Sequence, residues 1–201
     1  MLKIKYFAHA CFMIENDKEK VIIDPYDISM GYEPIKETVN YLLVSHNHYD
    51  HNYINDIKLE DNIGSFKIDK IKSYHDEDNG NLRGENIIHV IDDGNIRICH
   101  LGDLGHILTE KQIQLIGNID ILLIPVGGVF TIDYKQAIEV VKQLNPNVVI
   151  PMHYKTDKWG YNKGIDSVDN FIENIKGYKI IKLDSKEIDY NKSSEKIVYV
   201  I

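Results

Sequence analysis

The segment Tyr41 to His51 reads Tyr-Leu-Leu-Val-Ser-His-Asn-His-Tyr-Asp-His, an apolar run that empties into a His-x-His-x-Asp-His motif. Imidazole and carboxylate are ligands that zinc, manganese and iron all accept. Four such groups, His46, His48, Asp50 and His51, fall within six residues. An extended chain cannot aim all of them at one ion. On a loop that turns, they can divide between two adjacent ions, His46 and His48 on one, Asp50 and His51 on the other. Left without a cation at the end of a buried strand, these groups would carry a real desolvation cost.

Three further places repeat the same grammar, a β-rich run ending in a metal-competent side chain. Ile71 to Tyr74 leads into His75. Ile96 to Gly102 leads through His100 into Asp103. Val148 to Met152 leads into His153. Loops at strand ends are where sites are built. His89 is the alternative to His75, although Ile87-Ile88-His89-Val90 reads as the middle of a strand. Asp24, which closes Val21-Ile22-Ile23, could bond a backbone or imidazole N–H and fix the metal loop. His106 stands three residues beyond Asp103 on a Gly-flanked loop and could donate to a leaving group or an oxyanion. His9 could line the pocket or brace a ligand, and His100 supports rather than ligates.

These residues need strands to position them. Short β-rich runs cover Leu2 to Phe7, Cys11 to Glu15 and Val21 to Asp24. Tyr41 to Ser45 reads as a strand covered on both faces. Ile68 to Tyr74 alternates, and Asn86 to Ile91 pairs with Asn95 to His100 through an Asp93-Gly94 turn. The later half changes character. Thr109 to Ile116 is a helix with a Thr109/Gln112 capping box and Gly117 at its end. Ile121 to Ile124 is a strand stopped by Pro125. Asp133 to Leu144 carries Tyr134, Ala137, Ile138, Val141 and Leu144 on one helical face. Val148 to Ile150 is a strand stopped by Pro151. Ser167 to Ile175 is a third helix, and Tyr178 to Leu183 and Lys196 to Ile201 are closing strands. Strands early, then strand-helix alternation, imply sheets covered by helices.

A chain of 201 residues, 43% hydrophobic and 27% charged, is expected to form one domain over residues 1–201. Its net charge of −8 argues against holding nucleic acid on a basic surface. Cys11 and Cys99 sit in apolar stretches, as reduced core residues do. With no signal-peptide layout and no apolar run of membrane length, a cytoplasmic location is expected.

Together these motifs resemble the metallo-β-lactamase superfamily, in its compact branch related to the L-ascorbate-6-phosphate lactonases. Asp24, the His46 to His51 motif, His75, Asp103 and His153 match the family's motifs in order, and Ala8-His9-Ala10-Cys11-Phe12 and His100 to His106 also resemble that branch. The resemblance implies an αββα sandwich, two mixed sheets with helices on both outsides. It implies two divalent ions, zinc foremost with manganese or iron as alternatives. One would sit on His46, His48 and His75, the other on Asp50, His51 and His153, with Asp103 bridging. The chemistry expected is hydrolysis by an activated hydroxide, with Asp50 orienting the nucleophile. The absence of a large insertion over the site suits a small ester, lactone, thioester or phosphodiester, and a second copy of the chain could supply a wall. Three other readings are weighed. A di-iron oxidoreductase would carry an acidic residue at His48 and a flavin domain. A non-catalytic metal-binding or sensing protein would use the same ligands. A nuclease would want a basic surface.

Overall fold

The protein is described by a computed structural model over residues 1–61, 64–161 and 163–201. In chain order the elements are β1 (Leu2–Ala8), β2 (Cys11–Glu15), β3 (Lys20–Ile23), a 3-10 turn (Ile28–Met30), β4 (Thr38–Val39), β5 (Tyr41–Leu43), β6 (Lys58–Leu59), β7 (Lys67–Tyr74), β8 (Glu85–Asp92) and β9 (Arg97–His100). They continue with α1 (Glu110–Ile116), β10 (Ile121–Pro125), α2 (Tyr134–Leu144), β11 (Val148–Met152), α3 (Asp169–Asn174), β12 (Lys179–Lys182), β13 (Glu187–Tyr190) and β14 (Ile197–Val200).

Two sheets face each other. One runs β13-β1-β2-β3-β5, the other β12-β14-β11-β10-β9-β8-β7, and β4 pairs with β6 apart from both. Strands β9 to β12 and β14 lie parallel in the second sheet, while β7, β8 and β9 form an antiparallel meander. The period-2 alternation of each strand sorts its side chains. Leu2, Ile4, Phe12, Ile14, Val21 and Ile23 meet Ile91, Ile98, Ile121, Leu123, Val148 and Ile150 between the sheets. Val90, Cys99, Leu122, Ile124, Val149 and Val198 point to the other side, against Ile116, Ala137, Val140, Val141, Leu144 and Phe171 of the helices.

The expected sandwich is therefore present, with one difference in its outer layers. Helices α1 to α3 cover the seven-stranded sheet. The outside of the five-stranded sheet is closed instead by loops, the 3-10 turn and β4, with Tyr26, Met30, Ile35, Val39, Trp159 and Ile165 packed on Ala8, Cys11, Met13 and Ile22. β5 is also less covered than its apolar run implies, since Tyr41 and Leu42 are only half-buried at the edge of its sheet. β10 ends at Pro125 as expected, whereas β11 runs past Pro151 to Met152. The missing N–H groups of the two prolines cost little there, because β10 pairs with β9 only through Leu123, and β11 with β14 only through Val149. α3 is shorter than its pattern, since Val168 at its start offers no side-chain acceptor. β13, with only Ile188 and Tyr190 inward, is too polar to read as a strand and exists because it pairs with β1.

α2 is the best-determined helix. The Asp133 carboxylate accepts from the backbone N–H of Lys135 and Gln136, and the Gln136 side chain accepts from Asp133 N–H. Asn145 ends it in the left-handed conformation. Asp133→Ala should cost about 1 kcal/mol, read as a lower urea midpoint at unchanged slope, with metal content unaltered.

Candidate metal centre

Five connections converge at one end of the sandwich. The β1–β2 turn brings His9, the segment after β5 brings His46 to His51, the end of β7 brings His75, the segment after β9 brings Asp103, and the end of β11 brings His153. The Asp103 carboxylate lies at their centre. Its Oδ2 is 3.2 Å from His75 Nε2, 3.2 Å from His153 Nε2, 3.3 Å from His51 Nε2 and 3.9 Å from His46 Nε2. Three sets bring their ligand atoms within 4.8 Å of one another: His46, His48 and His75; His46, His51 and Asp103; and His9, His51 and His153.

The imidazoles are aimed by hydrogen bonds at their far nitrogens. Asp24 is fully buried and accepts from Ser45 N–H at 2.7 Å, from Ser45 Oγ at 2.6 Å and from His51 Nδ1 at 3.0 Å. Because the Ser45 hydroxyl gives its proton to Asp24, it can only accept from His46 Nδ1, 2.9 Å away. One carboxylate thus sets the tautomer of both His46 and His51 and turns both Nε2 atoms inward. Asn86 does the same for the Asp103 segment. Its amide NH2 donates to Ser73 Oγ and the Leu101 carbonyl, and its Oδ1 accepts from Asp103 N–H. Gly102 and Gly105 let that segment approach closely. A Cβ at Gly102 would collide with Asn86 and Ser45, and one at Gly105 with the backbone of His75 and Asp76.

The donor set fits divalent metal. His46 Nε2, His51 Nε2 and Asp103 Oδ1 are buried without a hydrogen-bond partner. Burial is the main cause that pushes His46 and His9 down to about 3, so both are neutral at physiological pH, the form a metal ion takes. Burial also opposes charge on His51, yet Asp103 and Asp24 outweigh it and hold its pKa well above the usual range. Burial would raise Asp103, but His153 and His51 keep it well below the ordinary carboxylate value. The centre is built to stabilise positive charge beside Asp103. A proton on His51 meets that field in part, and a divalent cation meets it fully.

The other polar, glycine and aromatic residues around the centre fall as follows. Asp50 lines the cavity, with its Oδ2 3.4 Å from His9 Nε2, so His51 and His153 gather with His9 more closely than with Asp50. His89 lies mid-strand with Nε2 on the Val44 carbonyl, which leaves His75 in the cluster. His100 is neutral. Its Nε2 donates to the Ala10 carbonyl and its Nδ1 accepts from Gly102 N–H, so it ties the Asp103 segment to the facing sheet. His106 does not support the catalytic role expected of it. Its Nδ1 donates to the Ile107 carbonyl, its Nε2 accepts from Tyr74 N–H at 3.3 Å, and it does not line the cavity. The Gly127-Gly128 pair is a turn, with Gly128 N–H bonded to Ile132. Trp159 lines the cavity, whereas Tyr154 bonds the Ile201 carbonyl and Tyr161 is exposed. Ser45, Ser73 and Asn86 were not foreseen. Ser45 directly precedes the motif, but nothing in its type or spacing distinguishes it from an ordinary strand end.

A cavity of about 460 Å³ opens on the centre, lined by His48, Asp50, His75, Asp103, His153 and Trp159 together with Tyr49, Leu82, Arg83, Phe130 and Lys163. A larger groove of about 800 Å³, between Glu15 to Lys20 and Leu59 to Asp61, contains none of the histidines.

A sandwich with this histidine and aspartate centre defines the metallo-β-lactamase class of fold. A family model described as the Beta-lactamase superfamily domain matches residues 3–153. A UPF0173 metal-dependent hydrolase of Nanoarchaeum equitans is 34% identical over 193 residues, covering 77% of this chain and 85% of that one. A UPF0173 metal-dependent hydrolase of Thermoplasma volcanium is 32% identical, covering 77% and 84%. The crystal structure of a Thermotoga maritima protein, described as a Zn-dependent hydrolase of the metallo-β-lactamase superfamily, superposes with a TM-score of 0.82 at 33% identity, over 100% of this chain and 98% of that one. The chain belongs to the metallo-β-lactamase superfamily, in the branch whose members are named metal-dependent hydrolases. Among the described residues no helix is long and apolar enough to cross a membrane.

Ser45→Ala removes the acceptor for His46 Nδ1 and one donor to Asp24. Metal affinity should fall by about 10–100-fold, measured by competition with a chelator, while the circular dichroism spectrum stays native. Unchanged affinity would show that Ser45 does not orient His46.

Proposed function

We propose that this chain is a hydrolase that uses two divalent ions, zinc foremost, to cleave a small ester, lactone, thioester or phosphodiester. The observation that carries the reading is the shared position of Asp103. Its carboxylate stands among four imidazoles from three different connections, and the sets His46/His48/His75 and His9/His51/His153 both adjoin it. In this reading His46, His48 and His75 hold one ion, Asp50, His51 and His153 hold the other, and Asp103 serves both. Bound metal of this kind lowers the pKa of water and polarises a carbonyl or phosphoryl oxygen.

The chain's own residues do the rest. Asp24 and Ser45 fix the orientation of His46 and His51. Asp50, facing the cavity, orients the nucleophile and receives its proton. His9 positions Asp50, because its Nε2 is 3.4 Å from the carboxylate and its ring is wedged 4.3 Å from those of His153 and Trp159. The cavity volume is that of a small-molecule site. We read residues 1–201 as one hydrolase domain working on a free small molecule, with a cytoplasmic setting suggested by two buried, unpaired cysteines.

Elemental analysis tests the metal count. Wild type should hold close to two ions per chain, and His48→Ala and His153→Ala should each lose mainly one. A single ion in wild type, or no loss in either variant, would overturn the dinuclear reading. Asp50→Ala should lower turnover of an ester or phosphodiester substrate by about 10²-fold or more; full activity with both ions bound would remove Asp50 from the chemistry.

A further inference from the structure

From the rim of the cavity we infer that the substrate carries a fixed anionic group, a carboxylate or a phosphate, held by Arg83 and Lys163 away from the bond that is cleaved. The substrate half of this inference rests on the hydrolase reading; the anion site itself does not.

Arg83 reaches the rim on a loop built for the purpose. Asp76, the residue after His75, is buried and takes four backbone N–H groups on its carboxylate, from Asp78, Gly80, Leu82 and Arg83. Asn79, Gly80 and Gly84 take positive φ, and Gly84 closes the loop on Gly80 and on His75 N–H. The position of Arg83 is thus tied to that of His75. Its Nη2 donates to the Val129 carbonyl at 3.0 Å, and its guanidinium carbon lies 5.9 Å from the Phe130 ring. Val129 is β-branched and holds φ at +63°, a costly conformation for such a side chain, in the turn that brings Phe130 to the cavity. Lys163 lines the same cavity. Its ammonium lies 5.8 Å from the Phe130 ring and 5.1 Å from the Trp159 ring.

Two cations therefore flank one aromatic ring on one cavity wall. In a chain with 31 acidic residues against 23 basic ones, neither has a carboxylate within ion-pair distance among the described residues. The nearest acids of the cavity, Asp50 and Asp103, are engaged with imidazoles. An ordinary solvated lysine or arginine has no need of a buried carboxylate-capped loop or a strained turn to place it. Leu82, Tyr49, Phe130 and Trp159 give the space between rim and histidines an apolar lining. The pattern fits a small molecule with an anionic head, an apolar body and a hydrolysable bond at the histidine end.

Trp159 is the only tryptophan in the chain and lines the cavity, so its fluorescence reports occupancy without turnover. The metal-free protein is titrated with phenylphosphonate, benzoate and neutral benzyl alcohol, which removes any attraction of the anions to metal. The anions should bind more tightly than benzyl alcohol and weaken with salt. Arg83→Gln and Lys163→Gln should each weaken them by about tenfold, Arg83→Lys should retain part of the affinity, and Lys111→Gln on α1 should change nothing. Tighter binding of phenylphosphonate assigns a phosphate head, tighter binding of benzoate a carboxylate. On the metal-loaded protein, the two Gln variants should raise KM for an ester with a remote anionic group and leave its neutral counterpart unaffected. Anions that bind no better than benzyl alcohol, or binding indifferent to both Gln variants, overturn the inference and leave the hydrolase reading standing. Anion binding that depends on Arg83 and Lys163, in a protein that hydrolyses neither ester, sustains the anion site and fails the hydrolase reading.

Discussion

The structure depends on burying the carboxylate of Asp103 among imidazoles. Asp103 is 2% exposed, and a lone carboxylate in that position would be among the most expensive groups a chain could bury. Imidazoles on all sides make it tolerable, and they can be there only if separate stretches of chain end at one point. A sandwich of two sheets meets the requirement, because strands from both sheets finish at the same edge and each delivers one short connection. The apolar core between the sheets keeps those strand ends in fixed relation. The histidines in turn are tolerable at that depth because burial holds His9 and His46 neutral, and because Asp103 and Asp24 favour positive charge on His51.

The hydrogen bonds behind the ligands carry as much of the design as the ligands. Asp24 acts on two imidazoles at once, directly on His51 and through Ser45 on His46. Asn86 joins β7, the Leu101 carbonyl and the Asp103 segment. Backbone conformation is spent in the same place. Among the described residues, the non-glycine residues with positive φ are His9, Asp24, Asn79, Val129, Asn145 and His153. The two asparagines adopt it readily in turns. The other four are at the centre or on its rim, where tertiary packing holds a geometry the local chain would avoid.

Most of the framework was legible because it rests on local rules. The strands β1, β2, β7, β8 and β9 announce themselves as short β-rich runs, α1 by its capping box and α2 by its one-sided apolar face. The His46 to His51 run was legible because no ordinary core needs so many titratable groups so close together. What escaped was non-local. β13 is polar and exists only by pairing with β1. Pro151 was read as a stop because the point at which β14 leaves β11 cannot be seen in one dimension. His106 looked catalytic from its distance to Asp103, yet its ring is taken up by the backbone of β7 and of Ile107. Ser45 and Asn86 have no motif of their own, since their role lies in partners far along the chain.

Metal binding and substrate recognition are assigned to different kinds of structure. The histidines and Asp103 follow directly from strand ends, so any change in their positions would have to move a sheet. The rim comes from the loop 77–84, the turn around Val129 and the residues Trp159 and Lys163; the loop 77–84 can change composition without disturbing the core, whereas Trp159 belongs to the apolar cluster on the five-stranded sheet. The rim is nevertheless not loose. Asp76 binds its loop to His75, and Arg83 binds that loop to the Val129 turn. A fold arranged in this way can keep its metal-binding framework while exchanging the molecules it accepts, so membership of the superfamily does not by itself fix the substrate. In this chain Arg83 and Lys163 put positive charge on the rim although the net charge of the whole is −8, and that local reversal is the feature on which the inferred anion site rests.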